Sequence, residues 1–169
     1  VARIRKPATE WPAARELGVV NDVHLTQNIA HAIGTELRAM NFDLSFAPVL
    51  DVDTNPDNPV IGNRSFSAQA SLVAKHAIAF FNGFQTSMIA GCGKHFPGHG
   101  DTHVDSHLDL PYLHHELERI REIEWGPFKQ AVDAGFDAMM SAHIVLECLD
   151  EQYPATLSKK VMSTLRREI

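Results

Sequence analysis

Apolar residues recur along this chain with two alternating periods, one typical of helices and one typical of buried strands. The first helical stripe consists of apolar residues three or four positions apart, namely Leu25, Ile29, Ile33, Leu37 and Met40. Asn21 or Asp22 lies just before this stripe, and both residue types are favourable helix N-caps. The pattern therefore predicts an amphipathic helix that begins directly after this pair.

Short apolar segments that suit buried parallel strands alternate with the helical stripes. Three such segments cover residues 44–52, which Pro48 breaks near the end, residues 88–92 and residues 136–142. The helix after the first of them is expected to be capped by Ser67. Further helical stripes lie on either side of Gly126 and Pro127 and behind Ser158. Repeated strand, loop and helix units predict the α/β class with a parallel sheet.

Polar residues fall where the predicted strands end. They are Asp51, Asp53, Lys94, His95 and His143. The carboxyl ends of parallel strands form the face at which βα barrels and open α/β sheets bind their ligands. A closed (β/α)8 barrel needs eight strands and about 250 residues, so a chain with three strands is expected to be an incomplete part of a larger domain.

Composition excludes several classes of function. The chain has 169 residues, is 44% hydrophobic and 21% charged, and carries a net charge of -6, so neither nucleic acid nor an anionic membrane is expected as a partner. Its apolar runs are far shorter than the roughly 20 residues of a membrane span. Two cysteines, Cys92 and Cys148, give no disulfide framework and favour a reducing compartment, so we expect a cytoplasmic protein.

Candidate chemistry concentrates in residues 93–111, which read GKHFPGHGDTHVDSHLDLP. Four histidines, three aspartates and a lysine occur in this segment, while Pro97, Gly98 and Gly100 oppose regular structure. Loops on a rigid scaffold carry function more often than stability. The segment is therefore expected to present ionisable groups to a ligand.

The histidines of this loop allow several interpretations. His95, His99, His103 and His107 are spaced four apart, which on a helix would suggest a transition-metal site, but the glycines and the proline remove the helix. A metal-dependent hydrolase would use His95, His99, Asp101 and His103 as ligands. For His99 and His103, hydrogen bonding to the loop backbone is at least as well supported as chemistry.

Two residue pairs in the loop suggest proton transfer and ligand binding. Asp105 lies two residues before His107, and such a carboxylate can orient an imidazole that exchanges protons near neutral pH. This spacing also occurs in ordinary surface hydrogen bonds. Lys94 and His95 at a strand end can bind the hydroxyl groups of a polar ligand, or Lys94 can pair with a nearby carboxylate.

Several segments in consistent order resemble the bacterial β-N-acetylglucosaminidases of glycoside hydrolase family 3, the NagZ type. The principal one is KHFPGHGDTHVDSH at residues 94–107. The others are FAPVLDVD with the following Asn-Pro pair at 46–56, GNRSF at 62–66, MSAH at 140–143 and PATLS at 154–158. The resemblance covers essentially the whole chain.

The resemblance implies a (β/α)8 TIM-type barrel and assigns roles to five residues. His107 is expected to be the catalytic acid/base and Asp105 its polarising partner. Arg64, Lys94 and His95 match positions that bind the N-acetylglucosamine ring. No metal and no cofactor is implied, and no specific role follows for Asp51 or His143.

The implied function is that of a retaining exo-β-N-acetylglucosaminidase that acts on terminal N-acetylglucosamine in peptidoglycan fragments during muropeptide recycling. We expect N-acetylglucosaminyl muropeptides as substrates and a monomer as the full-length protein. Residues 1–169 would form the central part of one catalytic barrel domain, without its first strands and without the aspartate nucleophile. By itself this chain is then expected not to turn over substrate. A sugar-binding module without catalysis is the remaining alternative.

Overall fold

The computed structural model describes residue 4 and residues 8–104 and 109–169. Its strands are β1 (Leu44–Ser45), β2 (Ala90–Phe96), β3 (Tyr112–Leu113), β4 (Ala138–Ser141) and β5 (Val145–Leu146). Strands β1, β2 and β4 form a parallel sheet with β2 in the centre, and β3 pairs with β5 in a second, smaller parallel sheet. The predicted succession of parallel strands and helices is therefore confirmed.

The helices of the described residues surround this sheet. They are α1 (Ala14–Val20), α2 (Val23–Ala39), α3 (Ala70–Thr86), α4 (Leu117–Glu122), α5 (Gly126–Asp133) and α6 (Lys159–Glu168), with a short 3-10 helix at Gly62–Arg64. The Asp22 side chain caps α2 by accepting hydrogen bonds from two backbone N–H groups, and the Ser158 side chain caps α6 in the same way with one. Both starts agree with the sequence pattern, whereas α1 had no counterpart in it.

The predicted start of α3 is wrong by two residues. Ser67 does not cap the helix, because Gln69 is its N-cap and Ala70 its first residue. The Ser67 hydroxyl instead accepts a hydrogen bond of 3.1 Å from the Gln69 N–H, which forms a local turn before the helix. A serine next to an apolar stripe thus serves the turn rather than the cap.

The segment 44–52 is only partly a strand, contrary to the pattern. Regular pairing ends at Ser45, although the Leu50 N–H still donates to the Lys94 carbonyl at 2.6 Å and Val49 pairs with Lys94 as an isolated bridge. Pro48, which follows a cis peptide bond, has no N–H to continue the ladder. The partner strand β2 is correspondingly longer than predicted and extends to Phe96, through the first residues of the histidine-rich segment.

Aromatic side chains fill the core between the sheet and the helices. The largest fully buried ones are Phe66, Phe81, Phe84, Phe96, Trp125 and Phe128. Each contributes roughly 1.5–3 kcal/mol through removal from water. Helix α3 packs against α2 at Gly83, where an added Cβ would lie 2.6 Å from the Ala30 Cβ. Of the predicted α2 stripe, Leu25 is the exception, since it remains 39% exposed.

In the part of the chain that the structure describes, no helix combines the length and apolar character needed to cross a membrane.

Candidate active site

A buried carboxylate organises the carboxyl end of β2. Asp51 is 0% exposed and accepts three hydrogen bonds from two histidines. Its Oδ1 atom accepts the His95 N–H at 3.1 Å and the His99 N–H at 2.7 Å. Its Oδ2 atom lies 2.7 Å from the His95 Nδ1 atom. These three residues are the strand-end cluster.

The Asp51 carboxylate is ionised within this cluster. Burial alone would raise its pKa, because a charged group is poorly solvated in the interior. The hydrogen bonds from the His95 ring and from two backbone N–H groups outweigh burial and lower the Asp51 pKa below its ordinary value. The strand end therefore holds a negative charge directly behind His95.

The turn that follows β2 is held by asparagine side chains from the preceding loop. The Asn58 amide group donates to the carbonyl oxygens of His99 and Thr102 at 2.8 and 3.0 Å, and its oxygen accepts the N–H groups of Val60 and Ile61. The His99 ring, 2% exposed, lies with its Nδ1 atom 2.6 Å from the Thr102 hydroxyl. The turn is thus fixed to the loop that leads to the short 3-10 helix.

Lys94 and Arg64 line the same cavity, which has a volume of about 1000 Å³. They are the two basic residues among the described residues of its lining, which is otherwise largely apolar. Lys94 is half-buried in β2, while Arg64 is exposed and donates to the Val60 carbonyl at 3.1 Å. The structure therefore brings two of the three predicted sugar-binding residues to one opening, and His95 follows Lys94 directly on β2.

A second charged cluster holds the next part of the loop against α4. Asp101 accepts a hydrogen bond from the Thr54 hydroxyl at 2.9 Å and is hydrogen-bonded to the His115 ring. Arg119 of α4 lies 3.7 Å from Asp101 and donates to Glu124 at 2.6 Å. These five residues are the loop-stem cluster. Along the sequence, Asp101 and His115 stand on either side of the segment that contains the predicted acid/base pair.

The pKa values of the two acids of the loop-stem cluster are shifted in opposite directions. Burial acts to raise the pKa of Asp101, but the hydrogen bonds from His115 and Thr54 lower it overall. Burial raises the pKa of Glu124 and prevails there over the attraction of Arg119. Glu124 is 1% exposed, and its second oxygen, Oε2, has no hydrogen-bond partner within the described ranges.

Glu124 also explains one glycine of the histidine-rich segment. Gly98 has a φ of +123°, which favours glycine, and a Cβ added there would lie 2.8 Å from the Glu124 Cβ and Cγ atoms. Sequence reasoning missed Glu124, Arg119 and His115, because they lie in and around α4, outside the quoted motif. The paired glycines of the loop were the available signal that a side chain packs closely beneath it.

Asp105 and His107 lie outside the described residues. Their assignment as polarising partner and acid/base therefore stays a prediction. His143, which follows β4, is exposed, and its Nδ1 atom lies 2.8 Å from the Thr156 hydroxyl.

The four proposed metal ligands have different partners in the structure. His95 contacts Asp51, His99 contacts Thr102, Asp101 contacts His115, and the His103 Nδ1 atom lies 3.1 Å from the Asn55 amide nitrogen. Within residues 8–104 and 109–169, no group of three or more histidine, cysteine or acidic side chains is arranged to hold a metal ion. In the described geometry these four side chains thus form hydrogen bonds to separate partners.

The family of this chain follows from comparison over its full length. Residues 1–169 match the glycosyl hydrolase family 3 N terminal domain, so the chain belongs to this family. The predicted TIM-barrel type of α/β fold is confirmed by the solved structures that resemble it.

The comparison of sequences and the comparison of structures point to the same family. The chain is 38% identical to beta-hexosaminidase A of Pseudoalteromonas piscicida, over 99% of this chain and 31% of that protein. It is 44% identical to a family 3 beta-N-acetylglucosaminidase structure from a Paenibacillus species, with a TM-score of 0.94 over 98% of this chain and 32% of that one. For NagZ from Neisseria gonorrhoeae in complex with N-trifluoroacetyl-D-glucosamine, the values are 36% identity and a TM-score of 0.91, over 96% and 50%. The chain spans about a third to a half of the length of these relatives.

Proposed function

We propose that the full-length protein containing this chain is a retaining exo-β-N-acetylglucosaminidase. The observation that carries the proposal is the Lys94–His95 unit at the end of β2. Lys94 lines the same cavity as Arg64, and Asp51 holds His95 from behind. Basic and imidazole groups at the carboxyl ends of barrel strands are suited to bind a polyhydroxylated ring. Membership of family 3 and the named activities of the relatives support this assignment.

The proposed chemistry divides between a nucleophile and an acid/base. Retaining glycosidases use a nucleophile that forms a glycosyl-enzyme and an acid/base that serves both steps. We assign His107 as the acid/base: its imidazolium protonates the leaving oxygen, and the resulting imidazole then deprotonates water. Asp105 orients the ring. The nucleophile is assigned to an aspartate outside this chain, so that residues 1–169 form the central part of one barrel domain and do not turn over substrate alone.

The proposed substrates are peptidoglycan fragments with a terminal β-linked N-acetylglucosamine. The full-length protein is proposed to act on them as a monomer in the cytoplasm, in muropeptide recycling. An N-acylated glucosamine bound to the Neisseria NagZ structure supports the choice of sugar. Both cysteines are free, with Cys92 buried and Cys148 exposed, which supports a reducing compartment.

Activity assays of the full-length protein test this proposal. We expect it to release 4-nitrophenol from the β-N-acetylglucosaminide much faster than from the β-glucoside, to cleave a purified N-acetylglucosaminyl muropeptide, and to form the β anomer first by NMR. A first-formed α anomer would contradict the retaining mechanism. Tight binding of N-acetylglucosamine without any release would instead indicate a sugar-binding module. Loss of activity to chelators, restored by a metal, would favour a metal-dependent hydrolase.

A further inference from the structure

The two oxygens of Asp51 have different tasks. Oδ1 accepts two backbone N–H groups, those of His95 and His99, and thereby fixes the end of β2 and the start of the turn. Oδ2 lies 2.7 Å from the Nδ1 atom of the His95 ring. The carboxylate therefore acts on the main chain through one oxygen and on an imidazole through the other.

The charge of Asp51 determines which His95 nitrogen carries the proton. An ionised carboxylate can only accept hydrogen bonds, so the His95 Nδ1 atom at 2.7 Å must donate. In the neutral imidazole the second nitrogen, Nε2, is then an acceptor. The Nδ1 edge of the His95 ring faces the fully buried Asp51, while 16% of the His95 side chain remains exposed.

We propose that Asp51 is a positioning residue that fixes His95 in the Nδ1–H tautomer, so that Nε2 accepts a hydrogen bond from a hydroxyl group of the substrate. This inference rests on the proposed function and specifies one contact of it. In this contact the sugar hydroxyl is the donor and the His95 Nε2 atom is the acceptor. The exchange of a single proton between the ring nitrogens would reverse the polarity of this contact.

The substitution Asp51→Asn separates this role from a purely structural one. The asparagine oxygen can still accept the backbone N–H groups of His95 and His99, so the turn keeps its anchor. The asparagine NH₂ group replaces Oδ2 and can only donate, so the His95 ring must accept at Nδ1 and carry its proton on Nε2. The variant thus changes the tautomer while it preserves the main-chain bonds.

The first experiment measures the tautomer and does not depend on activity. The full-length protein is labelled with ¹⁵N-histidine, and the His95 signals are assigned by their loss in His95→Gln. We expect a protonated Nδ1 and an unprotonated Nε2 in the wild type near neutral pH, and the reverse in Asp51→Asn. An imidazolium or an Nε2–H tautomer in the wild type would overturn the inference, as would an unchanged spectrum in the variant.

The second experiment measures kcat/KM on the aryl N-acetylglucosaminide. We expect Asp51→Asn to lose at least about tenfold, because a hydroxyl that faces a second donor loses its partner. Asp150→Asn is the matched control, since Asp150 is also a buried carboxylate with three hydrogen bonds, from the Ser158 hydroxyl and the N–H groups of Gln152 and Tyr153. We expect its kcat/KM to stay within about twofold of the wild type.

A double-mutant cycle tests whether Asp51 acts through His95. In the His95→Ala background we expect Asp51→Asn to change kcat/KM by less than about twofold, because there is no imidazole at position 95 whose tautomer could change. Effects that multiply would show an independent structural role and overturn the inference. If the wild type releases no product, the proposed function fails, while the NMR measurement still decides the tautomer.

Discussion

The strand-end cluster and the loop-stem cluster both join an aspartate to an imidazole, but they are built differently. Asp51 is fully buried, and two of its three hydrogen bonds come from main-chain N–H groups of the β2 end and its turn. Asp101 is partly exposed, and its partners are the side chains of Thr54, His115 and Arg119. The first cluster is part of the backbone scaffold, whereas the second is a contact between side chains.

This difference separates two requirements of the proposed reaction. Sugar-binding groups must be held in one place, and main-chain hydrogen bonds to a buried carboxylate do this for His95. Asp101, which precedes the segment with the predicted acid/base, is instead bound by the side chains of His115 and Arg119. The predictions below test this distinction in full-length protein.

The largest expected effect concerns the two histidines that represent the two regions. We expect His107→Ala to slow cleavage of substrates with poor leaving groups by roughly 10²–10⁴-fold and activated aryl glycosides far less, because only the former need a proton. We expect His95→Ala to slow both classes by similar factors, because it removes a contact to the sugar. A plot of log(kcat/KM) against leaving-group pKa measures this. Equal slowing of both classes by His107→Ala would contradict the acid/base assignment.

The next largest effect concerns stability. Asp51→Ala leaves buried N–H donors without an acceptor, so we expect the free energy of unfolding to fall by roughly 3 kcal/mol or more. Asp101→Ala removes a partly exposed ion pair and is expected to cost about 1 kcal/mol or less after solvent screening. Urea unfolding curves compare the two variants. Similar losses would show that the two clusters are equally integral to the scaffold.

The third effect is the pH dependence of stability within the loop-stem cluster. The Glu124 pKa is raised from 4.5, so its stabilising contribution is present at low pH and is lost as the pH rises through the folded pKa. The Asp101 pKa is lowered from 3.8, so its contribution is present above that value and is lost as the pH falls through the folded pKa.

These opposite signs distinguish the two variants Glu124→Gln and Asp101→Asn. The stability of Glu124→Gln relative to the wild type is expected to increase as the pH is raised above 4.5. The stability of Asp101→Asn relative to the wild type is expected to increase as the pH is lowered below 3.8. Tm measured as a function of pH gives both differences. A pH-independent difference for either variant would contradict the assigned direction.

The smallest effect concerns Thr54, which donates to Asp101 at 2.9 Å. We expect Thr54→Val to lower the free energy of unfolding by about 0.5 kcal/mol, the lower end of the net value of one hydrogen bond. Asp101 keeps its contacts with His115 and Arg119, so kcat/KM should change less than in Asp101→Ala. A larger loss of activity in Thr54→Val would mean that the hydroxyl, rather than the ion pairs, controls the loop.

Local sequence signals predicted the helices well and one strand poorly. The starts of α2 and α6 were predictable because Asp22 and Ser158 directly precede amphipathic stripes. Ser67 misled, because its hydroxyl serves a turn. The segment 44–52 misled in its length, because Pro48 indicated a break near its end whereas regular pairing already stops at Ser45.

The residues of the candidate site also differ in how far the sequence could predict them. The position of Lys94 and His95 at the end of β2 was predictable because they directly follow an apolar segment. The role of Asp51 was not, because it depends on which backbone N–H groups the fold brings to a carboxylate far along the chain. Glu124 and Arg119 depend likewise on where α4 and its C-terminal end pack.

The Asn58 amide has a practical consequence for protein engineering. Its hydrogen bonds connect the loop that ends at Arg64 with the turn around His99 and Thr102. These hydrogen bonds hold the two segments together as one structural unit. A designer who grafts the histidine-rich turn onto another barrel must transplant the asparagine loop with it.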